Sequence, residues 1–328
     1  MKKSVRCKLN FRFRGTIEQR MTTDVATAPV PHLAREQIET RLKYCSRLPS
    51  LSSINSALRE LLNADQRYTS QVAEIIRRDP SLTARLLRLV NSVYYGLAAP
   101  VNSIEEAVFY LGVRQIRQLV MVTPIIEDFQ KLAGKAPFPW RDFWQHCIGT
   151  AILTREVISA LRAPTDEVDY VAGLIHDVGK IVLAAAWPEH FDAVYHRNGS
   201  GPRNPMERER QILGMDHAEL GALYLKHHHL PDALVDVARF HHEPQRATHH
   251  VHLVAAVQIA DLLVRHAGIG TSGNSEPVSD DDWFNASGWD LLFPQHDNPE
   301  DSEAEKALAR ANLKRSLDRL PTILEGLV

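Results

Sequence analysis

A histidine and an aspartate stand side by side in Gly173-Leu-Ile-His176-Asp177-Val-Gly179-Lys180, within an apolar stretch of helical pattern. The pair is a natural metal-binding unit. The imidazole supplies a neutral nitrogen, and the carboxylate binds one ion or bridges two. Neighbours on a helix point about 100° apart, so both reach one site only if the helix lies side-on to it. Lys180, one turn beyond His176, is placed to meet a phosphate oxygen as a point charge. The dipeptide alone is a weak signal, and a hydrogen bond between core helices is the plainer alternative.

Further candidates flank it at helical positions. His146 lies 30 residues upstream in Trp144-Gln-His146, where a satisfied core histidine is the competing reading. Asp261 sits in the apolar run Val257-Gln-Ile-Ala-Asp261-Leu-Leu-Val. An unpaired carboxylate there is costly to bury, so it calls for a metal or histidine partner, unless its face is exposed. His217 follows Asp216 near a helix start, where it could simply cap or orient the helix, and His241-His242-Glu243-Pro244 closes another. The chain has 16 histidines, ten of them between 217 and 266. The His227-His228-His229 run before Leu230-Pro231 reads as a helix end, where imidazoles favour the negative end of the dipole. His249, His250 and His252 flank the next helix start. Trp140 and Trp144 read as packing aromatics.

Helices must position these groups. Asp79-Pro80 opens one, with a capping carboxylate and a proline in the first turn. Ser103-Ile104-Glu105-Glu106 is a capping box. Gly134 to Pro139, with two prolines within three residues, is the best internal boundary. Beyond it the apolar period predicts helices near 141–161, 166–184, 188–197, 205–213, 216–228, 231–241 and 250–267. Residues 268–300 read as a long loop. Residues 302–327 read as an amphipathic helix with Leu308, Leu313, Leu317 and Leu320 on one side, expected to dock on its own core rather than on a second chain. No alternating run bounded by hairpin turns is present, so the expected class is all-α.

The order His146, His176-Asp177, Asp261 resembles the HD superfamily of metal-dependent phosphohydrolases. The wider resemblance, over roughly residues 40–265, is to the HDOD (HD-related output domain) family of bacterial signalling proteins. It rests on Leu48-Pro49-Ser-Leu51, Ile76-Arg-Arg-Asp79-Pro80-Ser-Leu82-Thr83, Leu86 to Ser92 with Tyr95-Gly96, and Ser103 to Ala107 leading to Leu111-Gly112. Gly173 to Lys180, Asp216-His217-Ala-Glu-Leu-Gly221, Leu230-Pro231 and His241-His242-Glu-Pro244 complete the series. The resemblance implies a two-lobed fold, an N-terminal helical bundle followed by an HD-phosphohydrolase-like helical lobe. The corresponding division is a basic tail at 1–30, a first lobe at 31–137, an HD-like lobe at 138–268, and a loop with a C-terminal helix at 269–328. The family is regarded as regulatory, and many members lack some metal ligands. This chain retains His146, His176, Asp177 and Asp261. It also has His217, His241 and His242, where the binuclear HD-GYP phosphodiesterases are similar in having further histidines. It departs from HD-GYP after His-His-Glu, which continues Pro244-Gln-Arg-Ala without a GYP loop. That argues against cyclic-di-GMP hydrolysis.

Two functions follow as expectations. The first is a signalling module that binds a protein partner or a small-molecule or nucleotide ligand, any metal tying helices together. The second is a phosphohydrolase in which one or two divalent ions (Fe, Mn, Ni, Zn or Mg) activate water for attack at phosphorus, with Asp177 and Lys180 in catalytic roles. Composition excludes less. The net charge of −2 over 328 residues gives no strong nucleic-acid signal. Three scattered cysteines without a CxxC make a disulfide framework improbable and fit a cytoplasmic protein. No apolar run approaches the roughly 20 residues of a membrane span. Residues 1–20 carry seven Lys/Arg and one Glu, a basic arm or an unstructured tail, and either Met1 or Met21 could be the start.

Overall fold

The computed structural model of the protein describes residues 31–44, 138–161, 167–195, 204–294 and 299–327. The tail at 1–30, most of the first lobe, the Asp79-Pro80 helix start and the 103–106 capping box lie outside the described residues.

Among the described residues the regular structure is helical, without a strand. In chain order the α-helices are α1 (Arg35–Tyr44), α2 (Trp140–Ala160), α3 (Glu167–Ile175), α4 (Val178–Ala186), α5 (Pro188–Tyr195), α6 (Pro205–Leu213), α7 (His217–His227), α8 (Asp232–Phe240), α9 (Val251–His266), α10 (Asp280–Phe284), α11 (Ser287–Leu292) and α12 (Pro299–Leu327). A 3-10 turn, Pro244–Arg246, links α8 to α9.

The long apolar helix α2 is the centre. It packs most extensively on α9 and α3, and α12 lies on another of its sides. Phe143, Trp144, Cys147, Ala151 and Leu153 are fully covered there, as are Val254, Val257 and Ala260 of α9. A second layer pairs α7 with α8 and α4. The approach of α4 to α7 depends on Gly179, where an added Cβ would fall 1.9 Å from the His217 carbonyl oxygen. Gly173 plays the same part between α3 and α2, since a Cβ there would lie 2.6 Å from Ala151 Cα. α1 lies against α7, joined to it by an Arg35–Glu219 ion pair of 2.7 Å, with its Ile38 and Leu42 buried.

Three expectations need correction. The helix predicted over 166–184 is two helices, broken at His176-Asp177. The break removes the 100° problem, because the two side chains no longer sit on one continuous cylinder. The loop predicted over 268–300 contains α10 and α11, which bury Trp283 and Trp289. α10 starts with a capping box between Ser279 and Asp282. Helices of five and six residues are too short for an apolar period to reveal. In α12 the buried stripe runs through Ser302, Lys306, Ala309, Leu313, Leu320 and Leu324, while Leu308 is 61% exposed. Leu313 comes five positions after Leu308, which is out of step with a 3.6-residue turn.

Candidate metal centre

The seven candidate ligands come from five places in the fold. His146 projects from α2, His176 and Asp177 occupy the α3–α4 break, and His217 is the first residue of α7. His241 and His242 follow α8, and Asp261 lies in α9. All are buried except His242, which is half-buried.

Local chemistry explains how each is held. Asp216 caps α7, its carboxylate accepting from the Glu219 N–H at 2.9 Å and bound by Arg210. His217 therefore starts the helix with its ring turned inward. Asp177 is the cap residue of α4, yet its carboxylate accepts none of the α4 N–H groups. An aspartate at that position ordinarily does so. Here it points instead into the cluster of imidazoles.

Asp177 divides that cluster. Its Oδ2 lies 3.5 Å from His176 Nε2 and 3.8 Å from His146 Nε2. Its Oδ1 lies 3.1 Å from His217 Nε2 and 3.7 Å from His241 Nε2. On the first side, Asp261 Oδ1 is 3.1 Å from His146 Nε2 and 3.8 Å from His176 Nε2, and the two histidine nitrogens are 3.3 Å apart. On the second side, His217 Nε2 and His242 Nε2 are 3.0 Å apart. His146, His176 and Asp261 thus form one group, and Asp177, His217, His241 and His242 the other. Two ligand atoms about 2.1 Å from one ion at tetrahedral or octahedral angles are roughly 3.0–3.4 Å apart. The shortest separations in each group fall in that range.

The proton positions test whether an ion fits. His176 Nδ1 lies 2.8 Å from the Gly173 carbonyl oxygen, and His241 Nδ1 lies 3.0 Å from that of Ala238. A carbonyl only accepts, so both Nδ1 atoms carry the proton and donate. Burial lowers both histidines below their ordinary pKa, His241 to about 3 with His176 adding to the effect, so both rings are neutral. His241 then presents a bare Nε2 lone pair towards the Asp177 carboxylate, acceptor against acceptor, whereas His176 Nε2 is paired with His146 Nε2 at 3.3 Å. His241 Nε2 and Asp177 Oδ1 make no hydrogen bond. A buried polar atom in that state is costly, and a cation between the two acceptors removes the cost. The residues fit a bound metal, each group being able to hold an ion.

Charge points the same way. Burial would raise Asp177 and Asp261, but both are held well below the usual carboxylate range. For Asp177 the main opposing influence is the Lys180 ammonium, and for Asp261 it is the bond from His146. Lys180 is itself buried, its Nζ 2.5 Å from Asp177 Oδ2.

One residue of the site carries no sequence signal. Glu209, in α6, is fully buried and accepts from His217 Nδ1 at 2.7 Å and from the His217 backbone N–H at 2.8 Å. In Glu207-Arg-Glu209-Arg it reads as one more charge on a solvated helix. The remaining crowded histidines stand apart from both groups. His227 and His228 close α7, and His250 precedes α9 in a left-handed conformation.

The fold and these side chains have relatives. Residues 48–244 match the HDOD domain family. A protein of uncharacterized role from Treponema pallidum (strain Nichols) is 25% identical over 263 residues, 77% of this chain and 50% of that protein. The chain therefore spans about half the length of the curated relative it matches. The crystal structure of an HDOD domain protein of unknown function from Geobacter sulfurreducens superposes with a TM-score of 0.68 at 25% identity. That match covers 86% of this chain and 99% of the Geobacter chain. A candidate phosphohydrolase from Shewanella amazonensis SB2B shares the fold, with a TM-score of 0.60 at 22% identity over 89% of this chain and 98% of its own. With well over half its length matched, and helices in the arrangement of solved relatives, the chain belongs to the HDOD domain family.

Proposed function

We propose that the protein is a metal-dependent phosphohydrolase operating in bacterial signalling, in which the two groups of donors around Asp177 would each hold a divalent ion. The observation that carries this is the division of the Asp177 carboxylate, one oxygen facing each group of nitrogen donors. Bound divalent ions would supply Lewis-acid polarisation of a phosphoryl oxygen and lower the pKa of water. His146, His176 and Asp261 would hold one ion, and His217, His241 and His242 the other. The first set is richer in carboxylate and suits Mn, Mg or Fe(II). The second is richer in imidazole and suits Fe(II), Ni or Zn.

The chain's own residues do the rest. Asp177 holds the two halves in register. Lys180 has two N–H donors beyond the one on Asp177, so it can bind a phosphoryl oxygen without leaving its carboxylate. His242 is the least buried of the donors, and a phosphoester would approach from its side. The substrate class is a small phosphoester or nucleotide ligand. Cyclic-di-GMP is disfavoured by Pro244-Gln-Arg-Ala after His-His-Glu.

A second reading keeps the ions and drops the catalysis. The burial of six of the seven donors favours it, because ions sealed among helices tie them together and stabilise the fold for a signalling partner. Metal content and turnover of an activated phosphodiester under Mn, Ni or Fe(II) separate the two. Stoichiometric metal with turnover abolished in Asp177→Ala establishes the enzyme. Stoichiometric metal without turnover leaves the scaffold, and a folded protein that takes up no metal sinks both.

A further inference from the structure

Glu209 is a carboxylate with no access to water and no lysine or arginine ion pair among the described residues. Its two oxygens are nonetheless fully engaged. Oε2 accepts from His217 Nδ1 and from the His217 backbone N–H, and Oε1 accepts from the Tyr195 hydroxyl at 2.6 Å. The backbone bond is as informative as the ring bond. It anchors the carboxylate to the main chain of the residue whose ring it orients, so His217 cannot rotate about its side chain without breaking a buried contact. Tyr195, at the end of α5, fixes the other oxygen from a third helix. α6, α7 and α5 thus converge on one imidazole.

A buried carboxylate without a cation of its own is costly. Here the carboxylate is bonded to the His217 ring, whose far nitrogen faces Asp177 Oδ1 at 3.1 Å and His242 Nε2 at 3.0 Å. Among the described residues no carboxylate backs Nδ1 of either histidine in the other half of the centre. His176 leans on a backbone carbonyl, and His146 Nδ1 has no hydrogen-bond partner. The two halves are built with different outer support.

We propose that Glu209, locked by Tyr195, is the positioning residue for the ion held by His217, His241 and His242, and that it acts on this ion and not on the one held by His146, His176 and Asp261. The inference rests on the two-ion reading above. A carboxylate behind a histidine ligand fixes the ring's tautomer and orientation and strengthens its donor nitrogen. The half with three imidazoles has no carboxylate besides the shared Asp177, and Glu209 supplies a further negative charge from outside the ligand set.

Titration of the metal-stripped full-length protein with Co(II) tests this without using activity, through the visible spectrum and the bound stoichiometry. The wild type is expected to take up two ions. Glu209→Gln is expected to bind the first ion as the wild type does and the second roughly 10–100-fold more weakly. Tyr195→Phe, which removes a single hydroxyl and keeps the carboxylate, should weaken the same ion by a smaller factor. Glu209→Gln that folds and binds both ions like the wild type overturns the inference alone. If that variant does not fold, Tyr195→Phe decides: unchanged affinity for the second ion overturns the inference, and selective weakening supports it. A wild-type protein that binds fewer than two ions overturns the two-ion reading and the inference with it.

Discussion

Lys180 Nζ lies 2.5 Å from Asp177 Oδ2, both residues being almost completely withdrawn from water. The lysine comes one turn after the aspartate, and its backbone N–H also reaches the Asp177 carbonyl at 3.0 Å. This pair places an ammonium against the carboxylate on which the whole centre hinges. Removing one partner of a buried ion pair leaves the other uncompensated, at about 3 kcal/mol or more. Lys180→Met should therefore destabilise the metal-free protein by about that amount. Divalent ions on Asp177 replace the missing charge, so the deficit should shrink in Mn(II). Urea unfolding with and without metal checks this, and an equal deficit in both conditions counts against Asp177 as a ligand.

Asp177 is the carboxylate the two groups of donors share, and the His176 and His241 rings also meet edge to face at 5.0 Å, so loss of a donor on one side should leave the other side's donors in place. His146→Ala should reduce metal uptake from two ions to one, and so should His241→Ala. Asp177→Ala should weaken both ions. Elemental analysis of the three purified variants after loading reads the outcome directly. A His146 variant that loses both ions would mean a single cooperative site.

The pH dependence of the metal-free protein follows from opposite shifts in its histidines. Burial lowers His217, but the Glu209 charge, the hydrogen bond to Glu209 and the nearby Asp177 carboxylate outweigh it and hold the ring up to about 9. Its ordinary value in an unfolded chain is about 6.5. The stabilisation from His217 is fully present below that value and is lost as pH rises through about 9. His241 is pushed down to about 3 by burial. As pH falls below about 6.5 the unfolded chain takes up a proton that folded His241 refuses, so stability declines towards pH 3. Melting of EDTA-treated protein should show highest stability near neutrality with losses on both sides. Coordination requires a deprotonated Nε2, so metal should flatten the alkaline loss.

α12 packs on α2 through Leu320, whose Cδ2 comes within 3.2 Å of the position a Cβ would take on Gly149. Leu320→Ala should cost about 2–5 kcal/mol, the usual range for a buried leucine. Leu308→Ala, at an exposed position of the same helix, should stay within about 0.5 kcal/mol. Equal effects in denaturant melts would show that α12 does not dock as described.

Much of this molecule was legible residue by residue. The helices of the HD-like part fall close to the positions their apolar period predicts, because burial of one face leaves its signature in nearest neighbours. His146, His176, Asp177 and Asp261 could be singled out because histidine and aspartate are out of place in apolar helical runs. Glu209 could not, since an acidic residue in a charged stretch looks the same whether it faces water or a buried imidazole. Leu308 misled for the converse reason, an apolar residue in an amphipathic helix that happens to fall off the buried stripe.

The sequence by itself determined the helical class, the family resemblance and the kinds of ligand on offer. Tertiary structure alone decided that seven of them meet, that the helix breaks between Ile175 and Val178, and that Asp177 turns one oxygen to each group. Those outcomes depend on contacts between segments 30 to more than 80 residues apart, such as His146 with His176 and His176 with Asp261. Local propensity carries no information about such contacts, because they form only when distant helices pack closely enough for glycines such as Gly179 to be required between them.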